Sequence, residues 1–196
     1  MDLNDPTTAC LLVADALARA GLRGALYGGL ALAAFGEPRE TKDADFVVAG
    51  ATPEELVTAL EAAGHGGVVT FDWTRFGGNR VARVTLLGSQ ATTGLNLADL
   101  VEPRSDRYAR LVLERALSGQ LRGQALSIVR PEDFVVLKLL STRDRDLEDA
   151  VSVVRGLGPD LDLDLVRTEV AILGREIPDC DVLERLARLE DLLARP

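Results

Sequence analysis

The periodicity of the chain changes at Pro131, and this change constrains its fold more than any other feature of the sequence. Up to Val129, short apolar runs bounded by glycine and proline alternate with helical stripes, whereas every segment after Pro131 has the helical period. The predicted strands are residues 22–27, 43–48, 68–72, 79–87, 94–101 and 125–129. The predicted helices are residues 5–20, 30–35, 53–63, 105–117, 134–140, 145–155, 161–173 and 179–193. This order predicts an α+β class with a mixed sheet: an α/β core over residues 1–130, and a C-terminal helical region over residues 131–196 that packs on it.

The composition excludes several classes of protein. The 196 residues are 47% hydrophobic and 27% charged, which rules out a disordered or collagen-like chain. The formal net charge of −9 makes sequence-independent coating of nucleic acid a poor function, because such coating needs a large positive field. Residues 101–130 are the exception, with six arginines against three acidic residues. This is the stretch that we predict for contact with phosphate. The alternative is that its arginine-bearing helix, around residues 108–115, is simply solvated.

Cysteine usage and the N-terminus predict the compartment. Cys10 and Cys180 are isolated thiols, so neither a zinc site nor a disulfide framework is readable. The first residues lack the basic region of a signal peptide, and no apolar run approaches the ~20 residues of a membrane span. We therefore expect a soluble cytoplasmic protein with no membrane partner.

Two features near residues 28 and 45 carry chemistry. Asp43 and Asp45 are two apart in a predicted strand, so their carboxylates point to the same face. Paired hard oxygen donors of this kind suit Mg²⁺ that bridges to phosphate. Gly28-Gly29 lies at a strand-to-helix turn, where free backbone N–H groups at a helix N-terminus form a site for phosphate.

A Gly-Gly turn followed by Asp-x-Asp on the next strand resembles the signature of the nucleotidyltransferase superfamily. Four blocks together are similar to the abortive-infection (AbiEii-like) and related minimal nucleotidyltransferases. They are Gly28-Gly29-Leu30-Ala31, Arg39-x-Thr41-x-Asp43-x-Asp45, Pro131-Glu132-Asp133-Phe134-Val135-Val136-Leu137-Lys138 and Arg143-x-x-Asp146-x-x-Asp149.

The resemblance implies a polymerase-β-like fold and a Mg²⁺-dependent enzyme that transfers a nucleoside monophosphate from a nucleoside triphosphate to a hydroxyl. It implies that Asp43 and Asp45 hold two Mg²⁺ ions, and that Asp99, on a later strand, ligates one of them and helps to deprotonate the acceptor. These three aspartates are the predicted catalytic and metal-binding residues. A turn residue is the alternative for Asp99.

The predicted nucleotide-binding residues are Gly28, Gly29, Arg39, Thr41, Lys138 and Arg143. Each of the last three has a plainer interpretation. Thr41 shapes the turn before Asp43, Lys138 is a surface lysine on an apolar helix, and the charge run 143–149 is a solvated helix start. Phe71, Trp73 and Phe76 either stack a base or belong to the core.

Three functions compete. The first is the nucleotidyltransferase, with a toxin–antitoxin or phage-defence role by family association and tRNA or another RNA end, a protein or a small molecule as acceptor. The second is a catalytically inactive binding or antitoxin-like protein of the same fold, which we expect if an arginine fills the acidic site. The third is an aminoglycoside- or lincosamide-type resistance nucleotidyltransferase. The two amphipathic helices after Gly156 either cap the core or form a homodimer.

Overall fold

A seven-stranded mixed sheet forms the centre of the computed structural model, which describes residues 5–87 and 96–195. The strands are Gly24–Tyr27 (β1), Asp43–Val48 (β2), Gly66–Phe76 (β3), Asn79–Leu87 (β4), Asn96–Pro103 (β5), Leu117–Leu121 (β6) and Gln124–Ile128 (β7). The helices are Pro6–Arg19 (α1), Gly28–Phe35 (α2), Pro53–Ala62 (α3), Asp106–Glu114 (α4), Pro131–Leu140 (α5), Asp144–Leu157 (α6), Leu163–Glu176 (α7) and Val182–Leu193 (α8), with a 3₁₀ turn at Gly158–Asp160. The predicted α+β class with a mixed sheet is confirmed.

The strands lie in the order β3-β4-β5-β2-β1-β7-β6. Strands β2 and β5 pair in parallel, as do β1 and β7, and the other neighbours are antiparallel. One row of cross-strand partners crosses the middle of the sheet, in the order Tyr27, Asp45, Asp99, Arg83 and Phe71. This register determines which charged side chains meet.

Local signals position several elements where the sequence predicts them. Helix α3 begins with a complete capping box, in which the Thr52 hydroxyl accepts from the Glu55 amide and Glu55 accepts from the Thr52 amide. Pro53 occupies the first helical position, where a missing N–H carries no penalty. The predicted start of β5 at residues 94–95 lies outside the described residues.

The stretch after Ser105 differs from its prediction. The predicted helix over 105–117 ends at Glu114, and residues 117–121 form β6, which pairs with β7 through a tight turn. Arg122 and Gly123 both have positive φ in this turn, the conformation that matches the twist of a hairpin. Only two residues of β6 are apolar, so its alternation is too weak to compete with the helical pattern before it.

The helices after Pro131 share a hydrophobic core with the residues before it. Every residue of α5 from Glu132 to Leu140 is buried, and the apolar ones belong to the same cluster as Val47, Leu100 and Val170. Buried apolar residues of α7 and α8 belong to the same cluster, so both helices pack against the core. In the described ranges 5–87 and 96–195, none of the helices combines the length and the apolar character of a transmembrane span.

Most arginines of the stretch 101–130, which was predicted to contact phosphate, pair with carboxylates instead. Several of these carboxylates come from the C-terminal helices. The pairs are Arg104 with Asp179, Arg107 with Glu169 and Glu176, Arg115 with Glu169 and Asp133, Arg122 with Asp5, and Arg130 with Glu132. Residues distant in sequence supply most of these acids, so counting charge along the chain did not detect them.

Candidate active site

Three carboxylates converge on one face of the sheet. Asp43 and Asp45 point to the same side of β2, and the parallel register sets Asp99 of β5 directly beside Asp45. One oxygen of each lies within 4.8 Å of the others. The arrangement offers a divalent cation three hard oxygen donors, which are the ligands that Mg²⁺ prefers.

Gly28 makes room for this cluster. Its φ is +67°, and a Cβ at this position would lie 1.8 Å from Oδ2 of Asp45. The left-handed backbone and the close carboxylate both require glycine here. Gly29 is similarly close to Thr41. A Cβ added at Gly29 would lie 2.7 Å from Cβ of Thr41. Both glycines are buried at the start of α2.

Thr41 orients one of the three carboxylates. Its hydroxyl donates to Oδ1 of Asp43 at 3.0 Å, with a second acceptor, the Asp43 carbonyl, at 3.3 Å. Thr41 therefore holds Asp43 while it packs against Gly29.

Burial and the neighbouring carboxylates both raise the pKa of Asp45. Burial, followed by the negative charges of Asp43 and Asp99, raises this pKa to about 7. Lys138 and Arg143 lower it, but by less. A cation among the three carboxylates would remove this repulsion, and by both charge and donor chemistry the cluster fits a metal site.

Arg83 of β4 lies against the cluster and was not among the predicted site residues. Its Nε donates to Oδ1 of Asp99 at 2.6 Å and its Nη2 to Oδ2 at 2.7 Å, which makes a bidentate pair. Nη2 also lies 3.4 Å from Oδ2 of Asp43. Nothing in the sequence around Arg83 distinguishes it from Arg80 on the same strand, because the register of β4 on β5 alone selects its partner.

Lys138 lies beneath the site rather than on the surface. Its side chain is 2% exposed, and its Nζ lies 2.7 Å from Asp146 and 2.8 Å from Asp149. The same ammonium group lies 5.1 Å from the centre of the Tyr27 ring. The surface interpretation of Lys138 is therefore wrong. So is the solvated interpretation of the whole charge run 143–149, because Asp146 and Asp149 are buried partners of this lysine.

The two predicted arginines flank this buried network. Arg39 donates to both oxygens of Asp149, at 3.0 and 3.1 Å. Arg143 pairs with Asp146 at 2.7 Å while most of its side chain remains exposed. The pairs run in one chain of contacts, from Arg39 through Asp149, Lys138 and Asp146 to Arg143.

All of these groups except Gly29 and Asp149 line one cavity of about 620 Å³. Phe71 and Phe76 of β3 form part of its wall, and Phe76 is 40% exposed. Trp73 instead packs against the core and stacks under the guanidinium of Arg80, at 5.0 Å. Lys42, Arg145 and Asn79, which were not predicted as site residues, also line the cavity.

Comparison with known proteins gives matches in structure and none in sequence. No protein-family model matches the chain, and no curated protein matches it. An antigenic nucleotidyltransferase-like protein from Paracoccidioides brasiliensis is similar in structure, with 20% identity, a TM-score of 0.52, and coverage of 92% of this chain and 91% of that one. A putative nucleotidyltransferase from H. pylori is similar, with 15% identity, a TM-score of 0.52, and coverage of 98% and 95%.

A third solved structure is ANT(2″)-Ia in complex with adenylyl-2″-tobramycin, with 15% identity, a TM-score of 0.51, and coverage of 83% of this chain and 95% of that one. Identities this low establish the fold and not the activity. The sheet, the helices around it and the solved structures that resemble it agree on one conclusion: this chain has the nucleotidyltransferase fold.

Proposed function

We propose that this protein is a Mg²⁺-dependent nucleotidyltransferase that moves a nucleoside monophosphate from a nucleoside triphosphate to a hydroxyl. The observation that carries the proposal is the convergence of Asp43, Asp45 and Asp99 within 4.8 Å, inside a cavity that also contains cationic side chains. A cavity of about 620 Å³ is within the range of small-molecule and cofactor sites.

Asp43, Asp45 and Asp99 would hold the metal. Bound there, Mg²⁺ would supply charge neutralisation at the triphosphate and would lower the pKa of the acceptor hydroxyl. Asp99 would accept the proton of that hydroxyl. The acceptor oxygen then forms its bond to the α-phosphorus as the bond to the bridging oxygen breaks, and pyrophosphate leaves.

The remaining predicted residues would bind and orient the triphosphate. Arg39 and Arg143 carry guanidinium groups at the cavity wall, where their fork suits phosphate oxygens. The backbone at Gly28-Gly29 lies at the N-terminus of α2, a favourable place for phosphate. Lys138 would position these groups rather than contact the triphosphate itself. Its buried ammonium group pairs with Asp146 and Asp149, and these two aspartates pair with the two arginines.

The acceptor we propose is a small hydroxyl compound or a single RNA terminus rather than a long RNA. The arginines of residues 101–130 that pair with carboxylates no longer offer a phosphate track. ANT(2″)-Ia was solved with an adenylylated aminoglycoside, and this precedent supports a small molecule as the acceptor. A toxin or defence role, suggested by the AbiEii-like blocks, would require an RNA terminus as the acceptor.

The test is transfer of label from each α-³²P nucleoside triphosphate with Mg²⁺, in parallel reactions with tRNA, total RNA, a set of aminoglycosides and the protein alone. We expect label on one acceptor class, and a loss on the order of 10²-fold or more in Asp43→Asn. Asp191→Asn, on the exposed face of α8, is the matched control and should retain transfer. No transfer to any acceptor by the unmodified protein would refute the proposal.

A second candidate function follows from Arg83. An arginine that already neutralises Asp99 is what a non-catalytic binding protein of this fold would contain. This candidate predicts binding of a triphosphate with no release of pyrophosphate. Equilibrium binding and pyrophosphate release, measured on the same sample, therefore separate the two functions.

A further inference from the structure

Arg83 occupies the oxygens that a metal would use. Both oxygens of Asp99 accept from its guanidinium, at 2.6 and 2.7 Å, and Oδ2 of Asp43 lies 3.4 Å from Nη2. Two of the three carboxylates of the cluster thus already have a cationic partner, which belongs to the protein itself.

A divalent cation and the Arg83 guanidinium cannot both lie against Asp99 and Asp43 without a large cost in free energy. Mg²⁺ demands near-octahedral oxygen ligands at short range, and a second positive charge a few ångströms away would repel it. The backbone cannot separate them, because Arg83 and Asp99 are direct cross-strand partners in the middle of the sheet. The side chain itself can move, since it is 27% exposed and borders the cavity.

We propose that Arg83 is an internal counter-ion of the acidic cluster, which neutralises Asp43 and Asp99 without metal and is displaced from Asp99 when a divalent cation binds. This inference rests on the proposed function, because it concerns the same metal site. It assigns to Arg83 a positioning role: the residue lowers the affinity for metal and keeps the metal-free site folded.

The chain offers a matched control for this residue. Arg80 on β4 pairs with Glu102 on β5 across the same two strands, with Nε 2.9 Å from Oε2. Glu102 also accepts from the Gly50 amide at 2.6 Å, and neither residue belongs to the acidic cluster. Arg80→Gln therefore removes an ion pair between the same strands without changing the charge on the metal site.

The experiment is a titration of the full-length protein with Mn²⁺ by calorimetry, together with thermal unfolding in EDTA and in saturating Mg²⁺. For Arg83→Gln we expect Mn²⁺ to bind on the order of tenfold more tightly than to the unmodified protein, a size usual for coupling between two binding events. We also expect a lower Tm in EDTA and a larger rise in Tm with Mg²⁺. Arg80→Gln should lower the Tm in EDTA without tightening Mn²⁺ binding.

Mn²⁺ affinity that is unchanged or weaker in Arg83→Gln overturns the inference, since a purely structural arginine would give that result. If Arg83→Gln does not fold, Arg83→Met takes its place, because it removes both the charge and the fork to Asp99 but keeps an unbranched side chain. Tighter Mn²⁺ binding in Arg83→Met supports the inference, and unchanged or weaker binding overturns it. Normal Mn²⁺ binding without nucleotidyl transfer would refute the proposed function and leave the inference standing.

Discussion

At the scale of single residues, the site depends on space as much as on charge. The Asp45 carboxylate fits beside the other two because residue 28 is glycine. A side chain on Gly28 would need the volume that this carboxylate fills. Thr41 likewise fills the volume that a side chain on Gly29 would need, and its hydroxyl orients Asp43. The glycine pair is thus a packing requirement of the acidic cluster, in addition to its predicted role at the phosphate.

Gly28→Ala tests this requirement against a control position at which φ is also positive. Gly50 also has positive φ, at +76°, but nothing lies within 4 Å of its added Cβ. Gly50→Ala should therefore cost only the strain of the left-handed conformation, about 1 kcal/mol in the free energy of unfolding. Gly28→Ala should cost clearly more and should also abolish stabilisation by Mg²⁺, measured by chemical denaturation with and without the metal. Equal costs for the two variants would contradict the packing role.

The buried Lys138 network gives a prediction about pH. Burial alone would raise the pKa of Asp146, but the charge of Lys138 and the hydrogen bonds from Arg143, Lys138 and Ser141 outweigh it and lower the pKa to about 2. The ordinary value of 3.8 applies in the unfolded chain. Because the folded-state pKa is the lower one, the stabilisation is complete above pH 3.8 and is lost as the pH falls towards 2.

The expected contribution is about 2 kcal/mol in the free energy of unfolding at neutral pH. Denaturation curves between pH 2 and pH 5 should show a weaker acid dependence in Asp146→Asn than in the unmodified protein. Asp144→Asn, on the exposed side of the same helix, should keep the original acid dependence. The same slope in all three proteins would show that Asp146 titrates normally.

At the scale of elements, ion pairs link α7 to the segment around α4. Glu169 of α7 is buried and receives Arg107 at 3.1 Å and Arg115 at 2.8 Å, both from the segment around α4. Arg104 adds a third attachment through Asp179, in the link between α7 and α8. Arg104, Arg107 and Arg115 thus link the C-terminal helices to the segment around α4, and we expect these pairs to stabilise the docking of α7.

Glu169→Gln should destabilise the protein by about 1–3 kcal/mol, because two half-buried guanidinium groups lose their shared carboxylate. Glu190→Gln removes an exposed pair with Arg167 and should cost less than about 1 kcal/mol. Urea denaturation of the two variants gives both values. A cost for Glu169→Gln as small as that for Glu190→Gln would show that apolar packing alone docks α7.

At the scale of the whole molecule, one apolar cluster joins residues on both sides of Pro131. We therefore expect residues 1–130 and 131–196 to unfold together. Trp73 is the single tryptophan and lies on β3, whereas far-UV circular dichroism reports strongly on the C-terminal helices. The two signals should give coincident denaturation curves, the criterion for a two-state transition. Separate midpoints would show that the predicted division marks two independently stable domains.

The predictions from the sequence succeeded where the signal was local. The capping box at Thr52, the glycine break after Tyr27 and the strand over residues 43–48 each involve residues within one turn or one strand. Asp43 and Asp45 share a face for the same reason. The prediction failed for β6, because Leu117–Leu121 has too few apolar residues to carry a period of two and becomes a strand through its pairing with β7.

The amino-acid sequence by itself determined the class of fold, the acidic strand and the glycine turn, since these depend on backbone geometry and on neighbours in the chain. The tertiary structure alone decided which charges meet. It set Asp99 beside Asp45, gave Arg83 to Asp99, and buried Lys138 between two aspartates. In a chain that is 27% charged, every ionic group has many possible partners. Strand register and helix docking select one of them, because Coulomb attraction and desolvation depend on distance in space rather than on separation along the sequence.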